Sequence, residues 1–243
     1  MKTRYFFYIG LFALLAYLGF RLFGEKLGIK KVSKFTKNLK FPTLMKYSTK
    51  MNTPKMIFKI DSNLNLFDAI VRYVKLKEGG LSKDVKDSAS KNPVPDGSGY
   101  HTNKGITWTS FSENASKLGY DGSIENFYKM PENIWIKIFT KGYLKPFENY
   151  TNSKVCNYYL GIWAWGSGVG GAKALLDFIG GKDFLNDFLA KNGEYETLAF
   201  LVDTRIEFFK RLVERKPSNE KFLNGWINSA LNFWYHFNKY TEK

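Results

Sequence analysis

Apolar positions between residues 62 and 238 recur at helical rather than strand spacing, and the pattern is interrupted at glycines and prolines. Phe67, Ile70, Val71 and Val74 stand at offsets 0, 3, 4 and 7, one face of a helix predicted over about Leu64–Lys77. Glu78 follows at offset 11, almost three full turns on, so its carboxyl is expected to point where the buried residues point. Gly79 then offers the left-handed conformation that ends a helix. Residues 81–104 are rich in Ser, Asp, Asn, Pro and Gly and read as a long irregular loop with room for a short hairpin. Thr107-Trp108-Thr109-Ser110 opens a helix running to about Lys117 and stopped by Gly119. Pro131 suits the first turn of the next helix, which carries Ile134, Ile138 and Phe139 toward Tyr143 and Pro146. A strongly apolar helix over about Lys154–Trp165 leads into glycines 166, 168, 170 and 171, read as a tight turn, and then a helix over Ala172–Ile179 closed by Gly180-Gly181. Glu194–Arg215 is the longest expected helix, and Lys216-Pro217-Ser218 breaks it. A last helix, about Asn219–Phe237, is expected to bury Phe222, Trp226, Ala230, Phe233 and Phe237. Strand patterns are almost absent and no internal repeat is visible, so the expected fold is all-α.

Composition changes this picture mainly at the N-terminus. The 243-residue chain is 44% hydrophobic and 18% aromatic, enough for a substantial core, and carries a net charge of +15. That charge is concentrated: residues 1–60 hold 13 basic side chains against Glu25 alone, while the remainder holds 24 basic against 21 acidic residues. Residues 5–20 carry no charge and lie between Lys2 and Arg4 on one side and Arg21 on the other. As a helix these sixteen residues span about 24 Å, and Leu22 and Phe23 extend that toward the ~30 Å of a bilayer core if Arg21 snorkels. Residues 1–24 therefore read as a signal anchor or signal peptide, and residues 25–62 as a basic linker. The flank after the apolar segment is the more basic, which by positive-inside counting opposes export. The expected partners are a membrane through residues 5–23 and anionic lipid or wall polymer through residues 25–60. No nucleic-acid recognition motif accompanies the basic segment.

Cys156 is alone, so no intrachain disulfide can form. His101 and His236 lack metal-ligand spacing, and the glycines at 166–171 follow a helix rather than a strand, so neither a metal nor a nucleotide is expected and no cofactor is assigned. The carboxyl of Glu78 is the candidate for acid chemistry. Partial burial and the negative end of its helix both favour the protonated form, the state needed to protonate a glycosidic oxygen.

After Glu78-Gly79-Gly80 come Asp84, Asp87, Asp96-Gly97-Ser98-Gly99 and Thr102-Asn103-Lys104-Gly105-Ile106-Thr107. This series resembles glycoside hydrolase family 108, a group of bacterial and phage lysozymes. The resemblance continues through Trp135, Ile138, Phe139, Tyr143 and Pro146, through Trp163-Ala164-Trp165-Gly166-Ser167-Gly168, and through Arg205-Ile206, Phe208-Phe209, Pro217, Phe222 and Gly225-Trp226-Ile227-Asn228. It covers about residues 64–238, with Leu81 and Ser98 departing from the family's aromatic and glycine. It implies a lysozyme-like catalytic region at 63–150 and a helical peptidoglycan-binding region at 151–243. The implied activity is an N-acetylmuramidase of endolysin type acting on peptidoglycan in the cell envelope, with Glu78 as general acid. For the second carboxylate Asp87 keeps the spacing of lysozyme-like sites to Glu78, and Asp96 keeps the spacing to Thr102. The Thr102 hydroxyl is placed to hold the water or the acid. His101 reads as a substrate hydrogen-bond donor or an exposed loop histidine, and Trp163, Trp165 and Trp226 as sugar platforms or core residues. The alternative is a membrane-tethered, catalytically inactive peptidoglycan-binding or secretion-assisting protein of the same fold.

Overall fold

The computed structural model describes residues 59–82 and 92–241, and the expected anchor, nearly all of the basic linker, Asp84 and Asp87 lie outside them. Seven helices and one small sheet make up the described chain. Helix α1 (Leu66–Lys77) starts at Asn65, whose side chain accepts from the Asp68 amide, and buries Ala69, Ile70, Val71, Tyr73 and Val74. Full burial of an Ile or Val side chain contributes about 1.5–3 kcal/mol, so this face alone fixes the helix on the core. Phe67, expected on that face, is only half-buried.

The loop after α1 forms a three-stranded antiparallel sheet, β1 (Leu81–Ser82), β2 (Thr102–Asn103) and β3 (Ile106–Thr107), in the order β1-β2-β3. Leu81 pairs with Asn103 and Ser82 with Thr102, and Thr102 then pairs with Thr107. The two-residue turn Lys104-Gly105 has φ of 49° and 81°, the positive values at both centres that a type I′ hairpin turn requires. Lysine is a rare occupant of that conformation. It is held there by Trp135 Nε1 donating to the Lys104 carbonyl at 2.9 Å and by Lys104 Nζ donating to the Met130 carbonyl at 2.9 Å.

Helix α2 (Trp108–Ala115) begins directly after β3, capped by Thr107, and passes into a 3-10 turn over Ser116–Leu118 that stops at Gly119, left-handed at φ 75°. Helix α3 (Ile124–Lys129) was not expected from the sequence pattern. It is one and a half turns long, too short to show a period, and rests on the Ser123 cap and a buried Phe127. Helix α4 (Glu132–Phe139) follows Pro131 and buries Ile134, Trp135, Ile138 and Phe139.

The glycine cluster after Trp165 is not a multi-residue turn. Helix α5 runs Lys154–Phe178 and is broken at Gly168 alone (φ 74°, ψ 153°). Glycine costs about 1 kcal/mol inside a helix but does not forbid it, and packing overrides that cost at residues 166, 170 and 171. Likewise α6 covers Gly181–Arg215 with a break only at Gly193 (φ 82°), so residues 182–192, unassigned by periodicity, are helical. Helix α7 (Glu220–Phe237) buries Ala230, Phe233 and Phe237 as expected. Phe222 and Trp226 are instead half-exposed and stack on one another, with Trp226 also against Phe209. Among the described residues no helix is long and apolar enough to cross a membrane.

The core joins both halves of the chain. Tyr73 of α1 meets Phe233 and Phe237 of α7, and its hydroxyl donates to the Ser229 carbonyl at 3.1 Å. Gly161 lets α5 approach residues 140–144 closely: a Cβ there would lie 3.1 Å from the Tyr143 carbonyl oxygen.

Candidate functional site

Glu78 is the residue at which α1 stops. Its amide still donates to the Val74 carbonyl at 2.9 Å, but its own backbone is extended (φ −83°, ψ 142°). The left-handed ending expected at Gly79 is absent, since neither Gly79 nor Gly80 has a positive φ. A Cβ added at either glycine would meet nothing within 4 Å, so the chain beside Glu78 borders open space.

The carboxyl itself is enclosed. Trp165 Nε1, from α5, donates to Glu78 Oε1 at 2.8 Å. On the other side lies the hairpin turn: a Cβ on Gly105 would stand 2.7 Å from Glu78 Oε2, 2.8 Å from its Cδ and 2.6 Å from Trp165 Cζ2. A side chain there would collide with both, so glycine lets bare backbone pack against the half-buried carboxyl. Burial is accordingly the largest influence on Glu78 and raises its pKa above 4.5, opposed by the adjacent Lys77 charge and by the Trp165 hydrogen bond. Lys77 is pushed down to about 8, first by burial, with the Glu78 charge opposing and Arg205 reinforcing the shift.

Trp165 is fixed in turn by an aromatic wall. Tyr143 stands edge-on to it at 4.8 Å between centroids, Phe139 at 5.2 Å and Trp135 at 5.8 Å. The Tyr143 hydroxyl lies 3.4 Å from Ser110 Oγ in the first turn of α2. Burial is the main cause of a raised Tyr143 pKa, to which the charges of Glu78 and Glu113 add. Thr102 shares a sheet face with its cross-strand partners Thr107 and Ser82. Thr107 on that face accepts from the Ser110 amide at 3.1 Å and so caps α2.

The opposite face of β2 holds a different cluster. Asn103 donates to the carbonyls of Phe127 and Tyr128 at 2.6 and 3.0 Å. Asp96 accepts from the Ser98 amide at 2.9 Å, from Ser98 Oγ, and from the Tyr128 hydroxyl at 2.7 Å. The Ser98 hydrogen bonds, then Tyr128, lower its pKa to about 2. His101 Nε2 lies 2.8 Å from Ser98 Oγ, and His101 is wholly buried rather than an exposed loop residue. Trp163 is 1% exposed, packed against Tyr159, with the Arg205 guanidinium over its ring, so it offers no face to a sugar. Trp165 is half-buried beside Glu78, and Trp226 is half-exposed on α7. Thus Glu78, Trp165 and the Gly105 turn come together, whereas Asp96 and His101 belong to the α3 side. Gly105, Tyr143 and Ser110 were not singled out from sequence as site residues. Gly105 and Tyr143 lie within the blocks that carry the family resemblance, and no pattern announces Ser110.

Among the described residues no group of three or more His, Cys, Asp or Glu side chains is placed to hold a metal ion. Cys156 is buried, and burial pushes its thiol up to about 12.

No curated protein and no solved structure matches the chain. Residues 179–231, which comprise α6 and the first two-thirds of α7, match the family described as Predicted Peptidoglycan domain, and this supports a peptidoglycan-related protein.

Proposed function

We propose that the protein is a peptidoglycan hydrolase, an N-acetylmuramidase that resembles glycoside hydrolase family 108 and cleaves the β-1,4 bond between N-acetylmuramic acid and N-acetylglucosamine. The observation that carries this reading is the half-buried Glu78 carboxyl, held by Trp165 and packed under the Gly105 turn, next to a Gly79-Gly80 segment that borders open space. A carboxyl with a raised pKa keeps its proton at pH values where most glutamates are ionised, and can give it to the leaving oxygen as the glycosidic bond breaks. The Trp165 hydrogen bond to Oε1 orients the group and leaves Oε2 to carry the proton. The peptidoglycan-domain match at residues 179–231 supports the same polymer as ligand. We place the protein in the cell envelope, exported and held there by residues 5–23, with the basic residues 25–60 against anionic lipid or wall polymer.

Mass spectrometry of muropeptides after digestion with the full chain tests the reaction. Reducing-end muramic acid from wild type and none from Glu78→Gln is the expected result, and a Glu78→Gln variant that digests as fast as wild type refutes it. The pH dependence of stability gives a check without substrate. Folding raises the Glu78 pKa, so the stability this group brings is present at acid pH and lost as pH rises through its folded pKa. Glu78→Gln therefore gains on wild type as pH rises from 4.5 to that folded pKa, keeps the gain above it, and shows none below 4.5. The inactive alternative rests on Asp96, whose oxygens are engaged away from Glu78, and it predicts no muropeptide release by wild type.

A further inference from the structure

Arg205 is a buried charge without a counter-charge. It lies on α6 within the matched residues 179–231 and is 8% exposed. Its guanidinium sits over three aromatic rings, with Cζ 5.5 Å from the centroid of Phe209 and 5.8 Å from those of Tyr159 and Trp163. No carboxylate among the described residues, Asp203 included, stands within ion-pair distance of it. Its Nε is sealed from solvent without a hydrogen-bond partner, while Nη1 and Nη2 are not sealed and give the fork its accessible end. Burial pushes the neighbouring Tyr159 hydroxyl up to about 12, with the Arg205 charge opposing the shift, so this hydroxyl is neutral and supplies no counter-charge. It too is sealed without hydrogen-bond geometry to any partner. Aromatic faces offset part of the cost of burying a cation, and the rest calls for an anion that meets the fork. From the guanidinium an aromatic strip leads outward: Phe209 lies 5.3 Å from Trp226, and Trp226 5.7 Å from Phe222, each pair tilted by 34°. Arg205 and Phe209 are four apart on α6, and Phe222 and Trp226 four apart on α7, so each pair shares one helix face. Trp226 and Phe222 are half-exposed, so the strip reaches the surface.

We propose, resting on the peptidoglycan part of the functional reading, that Arg205 is a specificity-determining residue whose guanidinium takes a muropeptide carboxylate, while Phe209, Trp226 and Phe222 line the sugar and methyl groups beside it. A planar guanidinium meets a carboxylate with two parallel N–H···O bonds, a match that an ammonium cannot make. In peptidoglycan the carboxylate belongs to the lactyl arm of muramic acid where no peptide is attached, and to the stem peptide where one is. Glycans built from N-acetylglucosamine alone carry no such group, so this contact separates the wall polymer from chitin-like chains. The contact acts on affinity for the polymer and takes no part in bond cleavage, which the functional reading assigns to Glu78.

The experiment titrates the full chain with four probes: a reduced disaccharide-tetrapeptide, its carboxyl methyl ester, the reduced disaccharide without peptide, and chitobiose. The tetrapeptide is expected to bind about tenfold or more tightly than its ester and than chitobiose, within the range of a charged hydrogen-bonded pair. In Arg205→Met, which keeps an apolar stem and leaves no charge to bury, that gap is expected to fall below twofold. A direct readout on the unmutated chain stands whether or not the variant folds: the Arg205 Nε–H resonance is expected to shift on adding the tetrapeptide and to stay in place with the ester. Tight binding of the peptide-free disaccharide identifies the lactyl carboxylate as the group held, and tight binding of the tetrapeptide alone identifies the stem. Ester and acid binding equally, with the Nε–H resonance unmoved by either, overturns the Arg205 assignment and leaves the muramidase reading standing. Muropeptide release retained in Glu78→Gln overturns the muramidase reading and leaves the Arg205 contact standing.

Discussion

The contact between the hairpin turn and Glu78 can be weighed by comparing Gly105→Ala with Gly119→Ala. Both glycines have a positive φ, 81° and 75°, so alanine at either costs about 1–2 kcal/mol in backbone strain. They differ in surroundings. A Cβ on Gly119 meets nothing within 4 Å, whereas one on Gly105 meets Trp165 at 2.6 Å and the Glu78 carboxyl at 2.7 and 2.8 Å. Forcing extra volume into a filled site costs a further ~1–3 kcal/mol. In a chain of this size 1 kcal/mol shifts Tm by roughly 2–4 °C, so Gly105→Ala should melt about 2–12 °C below Gly119→Ala. Scanning calorimetry reads that gap, and lytic rate on peptidoglycan reads displacement of the carboxyl. Equal Tm losses and equal lytic rates in the two variants would refute the argument that the turn encloses Glu78.

Trp165→Phe keeps most of the ring but removes the donor to Glu78. That hydrogen bond favours the carboxylate, so its loss should raise the Glu78 pKa further and move the alkaline limb of the pH–rate profile upward, and a limb that stays in place or moves down contradicts the assignment. At Asp96 the pKa falls on folding, from 3.8 to about 2, so its contribution to stability is present above pH 3.8 and lost as pH falls toward 2. Asp96→Asn should therefore lower the neutral plateau of a Tm-against-pH curve while leaving its value near pH 2 unchanged, which flattens the acid limb, and an unchanged acid limb argues against the Ser98 and Tyr128 contacts.

The helical face that ends at Glu78 was legible because four apolar residues at helical offsets carry it, and Ile70 and Val74 are buried as that pattern requires. The way the helix ends was not, because glycine's freedom predicts a left-handed cap whereas Glu78 itself turns extended. Glycine spacing also overstated the breaks in α5 and α6, where tertiary packing leaves a break only at Gly168 and at Gly193. Trp165 stood out from sequence as an aromatic, but its role as donor to Glu78 depends on a contact between residues 87 positions apart. Asp96 shows the converse. Its spacing to Thr102 was readable, yet alternation along β2 puts Thr102 on one face and the Asp96–His101 cluster on the other.

The Glu78–Trp165 hydrogen bond has a consequence for how this protein can be divided. The acid comes from the N-terminal half of the described chain and the indole from the C-terminal half, across the boundary near residue 150 that separates the two regions read from the sequence. A fragment ending there would keep Glu78 but lose the ring that holds it, and a fragment starting there would keep the residues matching the peptidoglycan domain without Glu78. Chimeras that exchange the C-terminal part must therefore carry residue 165 with the N-terminal partner, or they will exchange the surroundings of the Glu78 carboxyl along with the peptidoglycan-domain residues.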